Sequence, residues 1–266
     1  MRVRVAWMAG VVWLAWASMA LGWASREQPP APEEGVAEEP RREPPVLEAG
    51  LRARLEEIDR RAQSHVDLRA EFEQRKHTPL LRRPIVSSGT VRSKGGVALW
   101  ETQKPRRTVM RIDEREIAIY DPVEGSMEVF PSEEGVRKLS ATPQPSLGSV
   151  LERFAVEEIG AAEMLGGEAE AGRRLVGLSM TPTDEELRRR VARVRVLLDA
   201  ERALCLRMEV TDAEGERTEI IFKKIEVGVG LTEESLSLVV PKGTRVSRPL
   251  DGLTPSGGGS GGGTKR

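Results

Sequence analysis

The feature that most constrains the fold is a series of short one-sided strands between residues 86 and 122. Apolar and polar residues alternate in these segments, and the turn residues Gly95-Gly96, Lys104-Pro105 and Asp121-Pro122 separate them. Short, evenly spaced strands with turn residues between them indicate an antiparallel meander. The same alternation returns in the second half of the chain, at 175–180, 191–198, 204–210, 218–222 and 236–240. We therefore predict about eleven antiparallel strands, enough for an incomplete β-barrel with one apolar face.

Two amphipathic helices are predicted to cover this sheet. In the first, apolar residues recur at spacings of three and four, and these residues are Leu47, Leu51, Leu55, Ile58 and Ala62. In the second, a short helix that begins at Ser146, the apolar face consists of Leu147, Val150, Leu151 and Phe154. The apolar stripe of the first helix is narrow, which is typical of a helix that lies on another element. We therefore expect a mainly β fold with a helical lid.

Three segments inside the domain lack a regular pattern. Residues 76–84 are predicted to be a loop because they contain prolines and charges, and residues 155–172 are predicted to be irregular with at most one helical turn. The charged segment 184–190 is compatible with a helical turn or with the end of an extended hairpin.

Both ends of the chain differ in composition from the region between them. Arg2 and Arg4 precede an apolar run over 5–21, and small residues follow it, which is typical of a secretory signal peptide. We predict a signal peptide over 1–24, a disordered linker rich in Pro and Glu over 25–46, one folded domain over 47–250, and a flexible Gly-rich tail over 251–266. A retained membrane anchor is the alternative for the first segment, because its apolar run is at the short limit for a membrane span. We expect a periplasmic location.

The composition argues against several classes of function. The formal net charge is −1, and without Arg2 and Arg4 the remainder has 39 basic and 42 acidic residues, a net charge of −3. A nucleic-acid-binding domain would present a net basic field. His65 and His77 have no second ligand at metal spacing. Cys205, the single cysteine, can form no intramolecular disulfide, is predicted on the polar side of its strand and has no neighbouring base. We therefore expect no catalytic site, no metal and no cofactor.

Several short motifs follow one another along the domain. They are Phe72-x-Gln74, Ser88-Gly89-Thr90, Trp100, Pro105, Asp113, Tyr120-Asp121-Pro122, and a closing segment from Leu236 through Pro241 and Gly243 to Val246. In their order and spacing these residues resemble the LolA-type periplasmic carriers of outer-membrane lipoproteins. The resemblance covers about 47–247 in element order, and its motifs lie within 72–122 and 236–246.

This resemblance implies an incomplete β-barrel with a helical lid over a hydrophobic cavity. It also implies that the cavity accepts the acyl chains of lipidated proteins from an inner-membrane lipoprotein-releasing transporter. The carrier would then pass them to an outer-membrane acceptor, acting as a monomer and without nucleic acid. Two alternatives stay open on the same fold. One is a lipid-binding sensor or regulatory domain of the cell envelope, and the other is a shuttle for a glycolipid or another lipid.

The candidate cavity residues are large apolar side chains on the predicted strands, namely Leu99, Trp100, Met110, Ile112, Phe130, Met180, Met208 and Phe222. Leu99 and Trp100 are alternatives, because neighbouring residues of a strand point to opposite faces. The candidate lid residues are Leu147, Val150, Leu151 and Phe154. Lys94 stands near the place where the family has an arginine that ties the lid to the barrel, so we predict it as a latch, although lysine lacks the fork of arginine. Ala98 replaces a phenylalanine of the family, which would enlarge the cavity.

Overall fold

The computed structural model describes residues 48–132, 142–165 and 173–249 of the chain. Within these ranges the α-helices are α1 (Ala49–Gln63), α2 (Leu147–Leu151), α3 (Ala161–Leu165) and α4 (Glu185–Arg188). The strands are β1 (Asp67–His77), β2 (Ile85–Lys94), β3 (Val97–Lys104), β4 (Thr108–Ile112), β5 (Glu116–Asp121), β6 (Ser126–Pro131), β7 (Phe154–Ile159), β8 (Leu175–Pro182), β9 (Val191–Asp199), β10 (Leu204–Asp212), β11 (Arg217–Val227) and β12 (Arg245–Ser247). A 3₁₀ helix spans Glu234–Leu236.

The twelve strands of the described residues form one sheet, in the order β12-β6-β5-β4-β3-β2-β1-β11-β10-β9-β8-β7. Two antiparallel meanders, β1 to β6 and β7 to β11, meet where β1 pairs with β11. The added strand β12 runs parallel to β6. Because β7 and β12 lie at opposite edges and do not pair with each other, the sheet is not closed. The predicted fold class, an incomplete antiparallel β-barrel with a helical lid, is confirmed.

The two faces of the sheet differ in polarity because successive side chains of a strand point to opposite sides. In β1, Ala70 and Phe72 are buried in the main apolar core, which lies on the face called here the inner face. Glu71 and Glu73 point to the opposite, outer face, where Glu73 pairs with Lys223 of β11 at 3.0 Å. An antiparallel sheet with one apolar and one charged face must bury the apolar face under another element.

The helix α1 covers part of the inner face. Leu51, Leu55, Ile58 and Ala62 are its buried residues, and all four belong to the main core. They recur at the predicted helical spacing, whereas charged residues occupy most of the remaining positions of the helix. The predicted first helix is therefore present, with an apolar stripe that packs on the sheet.

The end of the domain differs from the prediction. The segment 236–240 is not a strand, and the final strand is β12, which pairs with β6 instead. Residues 228–238 cross the outer face, where Leu236 packs against Leu99 and Val109. This segment is called here the strap. The Gly228 amide donates to the Asp67 carbonyl of β1, and side chains of the sheet satisfy further backbone groups of the strap.

Two segments predicted to be irregular contain strands. Residue Phe154 begins β7, the edge strand that pairs with β8 from Phe154 opposite Pro182 to Ile159 opposite Gly177. In β1 the strand continues to His77, which pairs with Arg217 of β11, and Lys76 forms an ion pair with Glu216. The small and charged residues of these segments show no apolar alternation in the sequence. Their strand conformation is set by backbone pairing with the neighbouring strands.

The segments predicted as signal peptide, linker and Gly-rich tail lie outside the described residues. Among the described residues, no helix is both long and apolar enough to cross a membrane.

Candidate functional site

Three aromatic rings form the centre of the inner face. Phe72 of β1 pairs directly with Phe222 of β11. The indole of Trp100, on β3, lies edge-on to Phe72 with ring centroids 4.8 Å apart, and its centroid is 6.0 Å from that of Phe222. Aromatic pairs at such distances and angles attract each other beyond the effect of burial alone. The sheet thus presents a continuous aromatic surface to the helices.

The glycine of the Ser-Gly-Thr motif allows β3 to approach β2 closely beside this cluster. Phe72 lies opposite Gly89 in the ladder between β1 and β2. A Cβ atom at Gly89 would lie 1.9 Å from the carbonyl oxygen of Glu101, at a bulge in the pairing of β2 with β3. No side chain fits there, so the motif has a packing reason in this chain.

The indole nitrogen of Trp100 is a buried donor without an acceptor. The side chain is 4% exposed, and its Nε1 has no hydrogen-bond partner among the described residues. Leaving a buried donor unpaired costs about 1–3 kcal/mol. The buried hydroxyls of Ser93 and Thr108 are likewise without a partner among the described residues. An acceptor on a bound molecule would satisfy the indole donor.

Flexible and aliphatic side chains surround the aromatic centre. The main core includes Met110, Ile112, Phe130, Met180 and Phe222, and Met208 packs against it while partly buried. These residues come from β4, β6, β8, β10 and β11, so they converge only because the sheet curves under the helices. Of the eight predicted cavity residues, these six and Trp100 share the inner face.

The eighth predicted cavity residue, Leu99, lies elsewhere. It lies on the outer face in a small cluster with Val109 and Leu236, so it takes no part in the inner surface. Trp100 is the member of the pair that faces the helices. Ala98, on the same side as Trp100, is buried in the core.

The second helix contributes part of the lid. Leu147 is buried in the main core, and Leu151 packs against it while partly buried. The side chain of Val150 lies outside the described part of the structure. Phe154 is buried in the same core, but it belongs to β7 and not to the helix, because α2 ends at Leu151.

Polar contacts fasten the lid at its rim. The carboxylate of Asp59 on α1 accepts a hydrogen bond from the Leu147 amide at the start of α2, at 2.7 Å. The side chain of Gln144 donates to the Ala62 carbonyl at 2.8 Å. On the other side of α1, Arg54 pairs with Glu158 of β7, although both side chains are about half exposed. Exposed ion pairs of this kind contribute little, so the apolar contacts of α1 provide most of its attachment.

Lys94 does not connect the lid to the sheet. Its ammonium group donates to the Leu231 carbonyl of the strap on the outer face. Beside it, the carboxylate of Asp67 accepts hydrogen bonds from the amides of Val229 and Leu231, both at 2.7 Å. The predicted latch is therefore a fastening of the strap, because the end of β2 points Lys94 to the outer face.

Cys205 lies in the main core, not on the polar side of its strand. A bulge between Cys205 and Arg207 shifts the register of β10 and turns the thiol inward. Burial raises the pKa of the Cys205 thiol to about 12, although its hydrogen bond to the Arg207 carbonyl acts in the opposite direction. The thiol is therefore protonated at neutral pH and unsuited to act as a nucleophile. Among the described residues no group of His, Cys, Asp and Glu is arranged to hold a metal ion.

No protein-family profile matches the chain, and no curated protein matches it. Solved structures with a similar fold include an uncharacterised conserved protein of Thermus thermophilus, at 13% identity and a TM-score of 0.48, covering 75% of this chain and 99% of that one. A LolA superfamily protein of Nitrosomonas europaea is 12% identical with a TM-score of 0.38, covering 70% and 97% of the two chains. The lipoprotein LppX of Mycobacterium tuberculosis is 11% identical with a TM-score of 0.40, covering 68% and 98%.

Proposed function

We propose that this protein is a periplasmic carrier that holds the acyl chains of lipidated proteins between its sheet and its helical lid. In this function it takes them from an inner-membrane lipoprotein-releasing transporter and carries them toward the outer membrane. The observation that supports this proposal most directly is the aromatic and methionine-rich inner face under a lid with polar fastenings at its rim. Such a surface can bind an acyl chain through apolar burial alone, without a specific polar group on the ligand.

The energy of opening the lid is comparable with the energy of binding a chain. Leu51, Leu55 and Ile58 of α1 are almost fully buried, and burial of each such side chain contributes about 1.5–3 kcal/mol, so exposing all three costs about 5–9 kcal/mol. An acyl chain that buries about ten methylenes gains about 8 kcal/mol, at about 0.8 kcal/mol for each. Loading that displaces the helix is therefore near balance, which suits a carrier that must also release its cargo.

The composition of the inner face favours a cargo of variable shape. Met110, Met180 and Met208 have unbranched side chains with a polarizable sulfur, which adapt to irregular apolar surfaces. The unpaired Nε1 of Trp100 is suited to donate to an ester or amide carbonyl at the head of an acyl chain. Both features are compatible with lipids in general, and the amino-terminal peptide of the cargo must supply any further selectivity.

Trp100 provides a direct assay. The chain has five tryptophans, and the other four, Trp7, Trp13, Trp16 and Trp23, precede the domain. With these four replaced by phenylalanine in the full chain, tryptophan fluorescence reports the inner face alone. A lipopeptide with brominated acyl chains should quench Trp100, and the same peptide without acyl chains should not. Unquenched fluorescence at saturating lipopeptide, with no lipid in native mass spectra, would refute the carrier function.

The contribution of α2 to binding is tested by introducing a negative charge on this helix. Leu151→Asp should weaken binding of the brominated lipopeptide by about tenfold or more, because it places a carboxylate against the apolar core. Val239→Asp, at an exposed position between the 3₁₀ helix and β12, is the control and should leave the affinity unchanged. Equal affinities of the two folded variants would exclude α2 from the binding surface. Quenching by brominated glycolipid but not by lipopeptide would favour the alternative lipid shuttle.

A further inference from the structure

The loop between β1 and β2, residues 78–84, presents apolar side chains to solvent. Leu80 is 91% exposed and its neighbour Leu81 is 47% exposed. Val86, just inside β2, is also exposed, and so is Val123 in the turn between β5 and β6. The order of the strands places both connections at the same end of the sheet. Single exposed aliphatic residues are common, but adjacent leucines at the tip of a loop form a patch that suggests contact with an apolar medium.

Positive charges without partners accompany this apolar tip. Arg82 and Arg83 follow the leucines directly, and Lys104 and Arg107 lie at the neighbouring turn between β3 and β4. All four side chains are exposed, and within the described ranges none of them is in an ion pair.

Several of the nearby acidic side chains pair with other cations. Glu216 pairs with Lys76 at 2.6 Å, and Asp121 and Glu124 both pair with Arg106. Asp212 and Glu214, at the turn between β10 and β11, add negative charge at the same end of the sheet. The unpaired positive charge is therefore concentrated beside the leucines themselves, at Arg82 and Arg83, and at the turn that holds Lys104 and Arg107.

The backbone holds the leucines outward. The Leu81 amide donates to the Thr78 carbonyl at 3.1 Å, which closes a turn with Pro79 at its second position. Proline at that position restricts the turn to its folded form. Pro84 then restricts the chain before β2 begins. The turn and the two prolines therefore restrict the backbone in the conformation that leaves Leu80 almost fully exposed.

We infer that this end of the protein docks on the surface of an anionic lipid bilayer. Leu80 and Leu81 enter the interfacial region, while Arg82, Arg83, Lys104 and Arg107 contact the lipid phosphates. The biological role of this docking rests on the proposed function, because a carrier must contact membranes to exchange acyl chains. The docking itself is a separate property that can be measured without any transfer of cargo.

A bilayer fits this surface better than a protein partner does. A stable protein interface needs about 800 Å² on each side with complementary shape, and one seven-residue loop offers no groove for such a partner. A bilayer needs only a few apolar side chains to insert and a positive rim to meet its negative surface.

The experiment places an environment-sensitive fluorophore at the tip of the full chain through Leu80→Cys. Its emission should shift to the blue with vesicles that contain phosphatidylglycerol, and the shift should be weaker with pure phosphatidylcholine or at high salt. The matched control is Val66→Cys, which is 70% exposed at the other end of β1, about 35 Å away at 3.3 Å for each residue. Cys205 is buried and does not take the label in the folded protein.

Charge variants test the second part of the surface. Arg82→Gln and Arg83→Gln should each reduce the affinity of the labelled protein for anionic vesicles by about fivefold. Their circular dichroism should be unchanged, because both side chains are exposed.

Docking is refuted if the Leu80 label does not respond to vesicles, or if the Val66 label responds equally. A Leu80 label that responds to a protein partner and not to vesicles would also overturn it. A silent Leu80 label with normal quenching of Trp100 by lipopeptide would remove the docking and leave the carrier function standing. A responsive label without Trp100 quenching would support the docking and remove the carrier function.

Discussion

Replacement of Asp67 by alanine is expected to release the strap from the outer face. Asp67 is 2% exposed at the start of β1, and its two carboxylate oxygens accept hydrogen bonds from the amides of Val229 and Leu231, each at 2.7 Å. Its carbonyl also accepts from the Gly228 amide at 3.0 Å, a contact that alanine preserves. The substitution therefore removes two hydrogen bonds to a charged group and keeps the backbone pairing.

The magnitude follows from these contacts. Each hydrogen bond to a charged group contributes about 1.5–3 kcal/mol, so the two bonds set an upper value of about 6 kcal/mol. Val229 is 38% exposed, so water replaces part of the lost contact. We expect the free energy of unfolding to fall by about 3 kcal/mol. Asp67→Asn should lose about half of that, because it keeps one acceptor and turns the other into a donor.

The assay is urea unfolding followed by Trp100 fluorescence, in the chain that keeps Trp100 as its single tryptophan. Hydrogen exchange should show lost protection at the amides of Val229 and Leu231. The control is Asp184→Ala, because Asp184 accepts from the Leu187 amide at 2.9 Å but is exposed, so about 1 kcal/mol should be lost. If Asp67→Ala costs no more than the control, the apolar contacts of Leu236 hold the strap and the reasoning is wrong.

Two further predictions concern ionisable groups. Cys205 should resist thiol reagents in the folded protein at pH 8 and react on unfolding, because burial raises the pKa of its thiol to about 12; rapid labelling without unfolding would place the thiol elsewhere. Burial acts to raise the pKa of Glu216, but hydrogen bonds from Lys76 and Thr78 outweigh it, so the net pKa is lowered. This contribution to stability is present above the unfolded pKa and is lost as the pH falls through the folded one. Lys76→Met should therefore flatten the loss of stability below about pH 4.5, measured by urea unfolding; an unchanged acid profile would contradict the pairing.

Much of the fold was predictable from local periodicity. The alternation along the chain predicted ten of the twelve strands, although it left open which residues of each strand face the core. The spacing of Leu51, Leu55 and the other apolar residues of α1 predicted its buried stripe. Such patterns are legible because side-chain direction within one strand or helix depends only on neighbours along the chain.

Other features depend on contacts between distant segments. Whether Leu99 or Trp100 faces the lid depends on strand register, which adjacent residues of similar polarity do not reveal. Cys205 turns inward only because a bulge interrupts the pairing of β10 with β9. Lys94 meets the strap because residues 228–238 cross the outer face, and nothing in the sequence near Lys94 indicates that crossing.

The sequence by itself determined ten of the twelve strands, the apolar stripe of α1 and the motifs that resemble lipoprotein carriers. Only the tertiary structure decided which apolar residues form the inner face, which segment closes the outer face, and where the exposed leucines of the loop 78–84 stand relative to free cations. The physical reason is that periodicity is a property of neighbouring residues. Which residues share a surface depends on strand pairing between residues that are far apart in the chain. Such long-range contacts produce no periodic pattern in the sequence.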